Sequence, residues 1–270
     1  MDEVIGRVQR HPRPEGKKFL AWGSGEYDTR LFCFPQIGGS ASSFRALSER
    51  LDPSIEPWAL RLPGRENQIH SAPIGEWSAL LDYVEEDVIR LASTPYILLG
   101  NCAGSLVAFA LCHRLMYTQN PPRCLIVCGH LGPDADTSAK ARQLANLSSA
   151  DLWAEVAALG WTPPEVMEIP ALRAMLEPGI RADCVALGGY EAAREPDTQI
   201  LETPIAVIGG ARAEGTQGRS YAGWRGRTTG WYMEIELPGD TWLLRNPLLA
   251  HAVNDVVTFV SHRTLRANEG

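Results

Sequence analysis

The sequence predicts an α/β protein with a mostly parallel sheet covered by helices on both faces. Two observations carry this. Short apolar runs rich in β-formers alternate with longer segments whose apolar residues recur at three- and four-residue steps. The central runs are apolar at consecutive positions, as strands buried on both faces are. The 270 residues are enough for one large domain, and no repeat or low-complexity linker divides them.

The elements follow in order. Residues 30–35, RLFCFP, form a strand ending at Pro35, and 37–51 form a Gly-containing loop running into an amphipathic helix. Residues 57–64 are strand then turn, and 74–92 are a helix. YILLG (96–100) is a buried strand, and the helix at 103–116 is apolar on most faces. RCLIVCGH (123–130) and PIAVIGG (204–210) are further buried strands, and 231–239 alternate as a last one. The closing helix at 246–263 is opened by Asn246 as cap and Pro247 at its first position. Between about 138 and 190 the rhythm becomes helical throughout, which reads as a lid inserted between two strands of a single 1–270 domain.

Composition narrows the function. A net charge of −7 argues against nucleic-acid and anionic-membrane partners. No apolar run approaches the roughly 18 residues of a membrane span, and the N-terminus lacks a signal peptide's apolar core. A cytoplasmic location is expected, with Cys33, Cys102, Cys112, Cys124, Cys128 and Cys184 as reduced thiols. No Cys or His pair has metal spacing, so no metal site is expected.

The chemistry concentrates in GNCAGS (100–105), directly after the YILL run. A Gly-x-nucleophile-x-Gly segment between a buried strand and a helix is a nucleophile elbow, whose glycines permit a sharp turn. The residue at its tip is Cys102; the competing reading is a packed core cysteine. At a helix N-terminus its thiolate is expected to be favoured by the macrodipole. Oxyanion donors would be the backbone N–H groups of Ala103 and, from the loop PQIGGS (35–40), of Ile37.

LFCFPQIGGSASSFRALSERL, RLPGREN, PYILLGNCAGSLVAFAL, LRAMLEPGIRADCVALGGY and TPIAVIGG together resemble the type II thioesterases, stand-alone α/β-hydrolase proteins that accompany non-ribosomal peptide and polyketide synthases. The resemblance runs from about residue 15 to 260. It implies an acyl group on the phosphopantetheine arm of a carrier protein as substrate, no cofactor of the enzyme's own, and a helical lid. It also exposes departures. The family's elbow is of the Gly-His-Ser-Met-Gly type, where this chain has Asn101 and Cys102. Its Phe-Pro-His-Ala-Gly-Gly loop reads Phe34-Pro35-Gln36-Ile37-Gly38-Gly39 here. The position of its catalytic His is Thr241, and near the position of its Asp only Glu214 is acidic.

His11, His70 and His262 read as solvated, and His113 and His251 as helix residues. His130 follows a buried strand at the sheet edge where α/β enzymes bind substrates, and is the candidate relocated base; the alternative is a hydrogen-bonded loop histidine. Asp240 and Asp134 are candidates to orient it. Moving an acyl group between thiols requires less than hydrolysis, which needs an activated water. Three functions follow: acyl or aminoacyl transfer from a carrier-protein thioester through Cys102, hydrolytic editing of carrier-bound acyl groups, or a non-catalytic carrier-binding module. Arg61, Arg65, Arg173 and Arg181 are candidates for docking an acidic carrier protein, with surface solubility as the alternative.

Overall fold

The computed structural model describes residues 10–23, 26–133, 136–159, 162, 164–190, 200–210, 221–239 and 243–268. Its eight-stranded sheet has the order β1-β2-β4-β3-β5-β6-β7-β8. The strands are β1 Pro12–Glu15, β2 Phe19–Trp22, β3 Thr29–Phe34, β4 Ile55–Leu60, β5 Tyr96–Asn101, β6 Leu125–Cys128, β7 Ile205–Gly210 and β8 Tyr232–Leu237. Strands β3 to β8 are mutually parallel; β2 joins β4 antiparallel, and β1 joins β2 antiparallel.

Helices cover both faces. α1 is Arg45–Ser48, α2 Trp77–Leu91, α3 Gly104–Leu115, α4 Thr137–Ala145, α5 Ser149–Ala158, α6 Pro164–Glu168, α7 Pro170–Gly189 and α8 Leu249–Asn268. Alternate strand residues feed two cores. Phe32, Phe34, Tyr96 and Leu98 pack with α2 and α3. Leu31, Cys33, Ile97 and Leu99 pack with α1 and α8. A strand presents side chains to opposite faces with period two, so runs such as LFCF (31–34) must be apolar at every position to satisfy both layers.

The chain leaves β3 over the face of α1 to reach β4, then returns over the face of α2 to β5, on the other side of β3. The β3–β5 boundary is therefore the topological switch point, where the loops after the two strands diverge and leave a crevice.

Three sequence expectations change. The amphipathic pattern at 37–51 yields only a 3-10 turn, Ala41–Phe44, and the one-turn α1. Closing helix α8 begins at Leu249, two residues after Pro247; Asn246 still caps the entry, its Oδ1 accepting from the Leu248 N–H at 2.9 Å. The β1–β2 hairpin was not anticipated. All six cysteines are free thiols. Between β6 and β7 lie the four helices α4 to α7, and among the described residues no helix is long and apolar enough to cross a membrane.

Candidate active site

The elbow forms as the GNCAGS spacing requires. Cys102 has φ +50°, one of two non-glycine residues with positive φ among those described. Such a backbone costs of order 1–3 kcal/mol and persists only where its surroundings impose it. Here the restraints are visible. The Cys102 N–H donates to the Cys128 carbonyl of β6 at 2.7 Å, and the Ser105 N–H donates back to the Cys102 carbonyl at 2.9 Å. The buried Ser105 hydroxyl donates to the Gly100 carbonyl at 2.9 Å.

The flanking glycines have steric reasons. A Cβ at Gly100 would lie 2.3 Å from the Ser105 Cα; one at Gly104 would lie 2.3 Å from the Phe34 carbonyl oxygen and 2.5 Å from that of Pro35. The first allows the helix to fold back over the strand. The second lets the N-terminus of α3 sit directly on the loop after β3.

That loop, Pro35–Ser40, stands beside the elbow. Its turn is closed by the Gly39 N–H donating to the Gln36 carbonyl at 2.8 Å. The buried side chains of Gln36 and Asn101 meet: the Asn101 Nδ2 donates to the Gln36 Oε1 at 3.0 Å. The two positions at which the resemblance implies histidines thus hold one amide pair. The Ile37 N–H has no acceptor among the described residues, while the Ala103 N–H lies against the Cys102 sulfur.

Cys102 keeps partial solvent access. The packing around it is nevertheless dense enough that burial raises its thiol pKa above the ordinary 9.0, with the Ala103 N–H pulling downward by less. Desolvation of the charged form thus opposes the favouring of the thiolate expected at a helix N-terminus, and it exceeds the pull of the Ala103 N–H.

His130 stands past the end of β6, as its position in the sequence implied. It is buried, and both ring nitrogens are engaged: Nε2 lies 3.0 Å from the Thr137 hydroxyl, and Nδ1 accepts from the Gly132 N–H at 3.4 Å. An accepting Nδ1 puts the proton on Nε2, directed to Thr137. Trp224 packs edge-on against the ring, and its Nε1 donates to the His130 carbonyl at 2.7 Å. Burial lowers the imidazole pKa to about 4. No hydrogen bond joins His130 to Cys102 among the described residues.

The other histidines lie elsewhere. His11, His70, His251 and His262 are exposed, and His113 sits in the last turn of α3, roughly 13 Å along the helix from the elbow at 1.5 Å per residue. Glu214, Asp240, Asp134 and Thr241 lie outside the described residues.

The docking reading of Arg61 and Arg65 is corrected: both are buried. Arg61 donates to the carbonyls of Gly16 and Phe19 at 2.8 and 2.7 Å, tying the β1–β2 hairpin down. Arg65 forks onto Asp183 of α7, at 2.9 Å from Nη1 and 2.7 Å from Nη2. Arg181 is half-buried and paired with Glu177 one turn away.

A cysteine elbow at the switch point of a mostly parallel sheet, faced by a Gly-Gly loop, defines an α/β-hydrolase site. The chain belongs to the thioesterase family: the Thioesterase domain model matches residues 29–246. It is 30% identical over 216 residues to the gramicidin S biosynthesis protein GrsT of Aneurinibacillus migulanus, spanning 80% of this chain and 82% of that one. RedJ, the thioesterase from the prodiginine biosynthetic pathway in Streptomyces coelicolor, matches with a TM-score of 0.70 at 27% identity, over 84% of this chain and 89% of its own. ClbQ, from the colibactin NRPS/PKS pathway, shares the fold with a TM-score of 0.75 at 20% identity, over 87% of this chain and 98% of its own.

Proposed function

We propose that this protein acts on acyl or aminoacyl groups held as thioesters on the phosphopantetheine arm of a carrier protein in non-ribosomal peptide or polyketide biosynthesis, and transfers them through a Cys102 acyl-enzyme. The observation that carries the reading is the strained, glycine-flanked elbow that holds the Cys102 sulfur at a helix N-terminus. The Cys102 sulfur attacks the thioester carbonyl and the carbon–sulfur bond to pantetheine breaks. The proton lost by the Cys102 thiol ends on the departing pantetheine sulfur. An acceptor thiol reverses the sequence. The N–H groups of Ala103 and Ile37 donate to the oxyanion. The helices α4 to α7 act as the lid.

Transfer is favoured over hydrolysis because no described histidine is placed to activate water. Burial raises the Cys102 thiol and lowers the His130 imidazole to about 4, and both ring nitrogens are already engaged by Thr137 and Gly132, so the ring is poorly suited to take the thiol's proton. His130 therefore braces the β6 end against Trp224 and Thr137 and does not serve as the base. Exchange between two thioesters is nearly balanced in energy and has a good sulfur leaving group, so it needs less base assistance.

Hydrolytic editing is the second reading, favoured by RedJ's designation as a thioesterase. The two separate when an aminoacyl-loaded carrier protein is mixed with the enzyme and an unloaded second carrier. Transfer predicts label on the second carrier ahead of free acid. Rapid free-acid release that is indifferent to the second carrier establishes hydrolysis instead.

A further inference from the structure

The loop that carries the Ile37 amide is held on its outer side by the inserted helices. Asp183 of α7 is buried, and its Oδ2 accepts from the Gly38 N–H at 2.8 Å. The same oxygen accepts from Arg65 Nη1 at 2.9 Å, and Oδ1 accepts from Arg65 Nη2 at 2.7 Å. Arg65 also donates to the Gly39 carbonyl at 2.7 Å and to the Gly179 carbonyl of α7 at 3.2 Å. Ile180 of α7 packs on Gly38, where an added Cβ would meet its Cγ1 at 3.0 Å. On the inner side, Gln36 is held by Asn101 of the elbow. The Ile37 peptide thus lies between Gln36, fixed by the nucleophile's own strand, and Gly38 and Gly39, fixed by α7 and by Arg65 respectively.

We infer that Asp183, oriented by the two-pronged Arg65 guanidinium, is a positioning residue for the oxyanion hole: it holds the Gly38 peptide, and with it the neighbouring Ile37 donor, in register with Cys102. The inference rests on the reading of Cys102 as an acyl-accepting nucleophile. A stabilising lid contact alone would not require the carboxylate to accept a hydrogen bond from the donor loop itself. Asp183 does so, with the same oxygen that Arg65 grips. Seating α7 and forming the oxyanion hole become one event, so an enzyme with α7 displaced would hold a reactive thiol without the means to stabilise a tetrahedral oxyanion.

The test compares two reactions of the same sulfur. Acylation by a small pantetheine-like thioester, an acyl-N-acetylcysteamine, builds negative charge on a carbonyl oxygen. Alkylation by iodoacetamide is a displacement at carbon and builds none there. Both are followed by intact mass in wild type, Asp183→Asn and Arg65→Lys. Loss of one well-placed oxyanion donor costs about 10²–10³ in rate, so a misplaced one predicts acylation slowed about 10- to 100-fold with alkylation within about threefold of wild type. Thermal unfolding of each variant guards against misfolding, and both reactions are run at a temperature where the variant is fully folded. The double variant Arg65→Met/Asp183→Leu, which leaves the Gly38 N–H and the Gly39 and Gly179 carbonyls without these partners, should unfold at a lower temperature than wild type yet show the same selective acylation defect while folded. Parallel loss of both reactions, or wild-type acylation in the variants, overturns the positioning role. Wild-type enzyme that is alkylated at Cys102 but never acylated overturns the nucleophile reading, and this inference with it.

Discussion

Replacing Gly104 with alanine tests the elbow most sharply. The new Cβ would sit 2.3 Å from the Phe34 carbonyl oxygen, and ordinary contact begins near 3.4 Å, so α3 and the loop after β3 must part by about 1.1 Å. Both sides are backbone, and no side-chain rotation relieves the clash. Overpacking of this kind costs about 1–3 kcal/mol, and the rigidity here puts Gly104→Ala at the upper end. For a chain of this size that lowers Tm by roughly 6–12 °C. The functional effect should exceed what stability alone explains. The same movement separates Cys102 from the Ile37 amide, and about 1 Å of misplacement at a reacting centre can cost about 100-fold. The assay is thermal unfolding together with the rate of Cys102 acylation by an acyl-N-acetylcysteamine, both at a temperature where the variant is fully folded. Gly226→Ala is the control: its Cβ would meet nothing within 4 Å, so Tm and rate should stay at wild type. Wild-type behaviour in Gly104→Ala would refute the reasoning, since the loop would then not need its close approach to α3.

Other consequences follow from buried groups. Because burial raises the Cys102 pKa, iodoacetamide alkylation should keep climbing through pH 9; a plateau below pH 8 contradicts this. His130, lowered from 6.5 to about 4, stabilises the fold fully above pH 6.5, and that contribution is lost as pH falls through 4, to a total of about 3 kcal/mol. Urea unfolding of wild type and His130→Gln should therefore differ in pH slope between 6.5 and 4, and equal slopes refute the burial argument. Gln36→Leu strands the buried Asn101 amide and should cost about 1–3 kcal/mol in denaturant unfolding; an unchanged midpoint would show that the amide pair does not hold the loop.

Much of the fold was legible because the central strands are buried on both faces. LFCF, YILL and CLIVC are apolar at every position, which few other local structures demand. The β1–β2 hairpin was not legible: PRPE and FLAW are four residues each, β1 is largely exposed, and two prolines fit only an edge. The elbow could be read from two glycines around Cys102, since their spacing follows from backbone geometry alone. The Arg65–Asp183 clamp could not. Its members lie 118 positions apart, and an isolated arginine in a turn defaults to the surface because burial without a partner is costly. His130 shows the same division: its place at the sheet edge follows from β6, but its partners Thr137, Gly132 and Trp224 belong to packing that no local pattern encodes.

Cys102 as the atom that carries the acyl group is tested most directly by intact-mass and peptide mapping after brief exposure to an aminoacyl-loaded carrier protein. The acyl increment should appear on the peptide containing Cys102 and vanish in Cys102→Ala. Full turnover by Cys102→Ala, or an increment on any other residue, would contradict it.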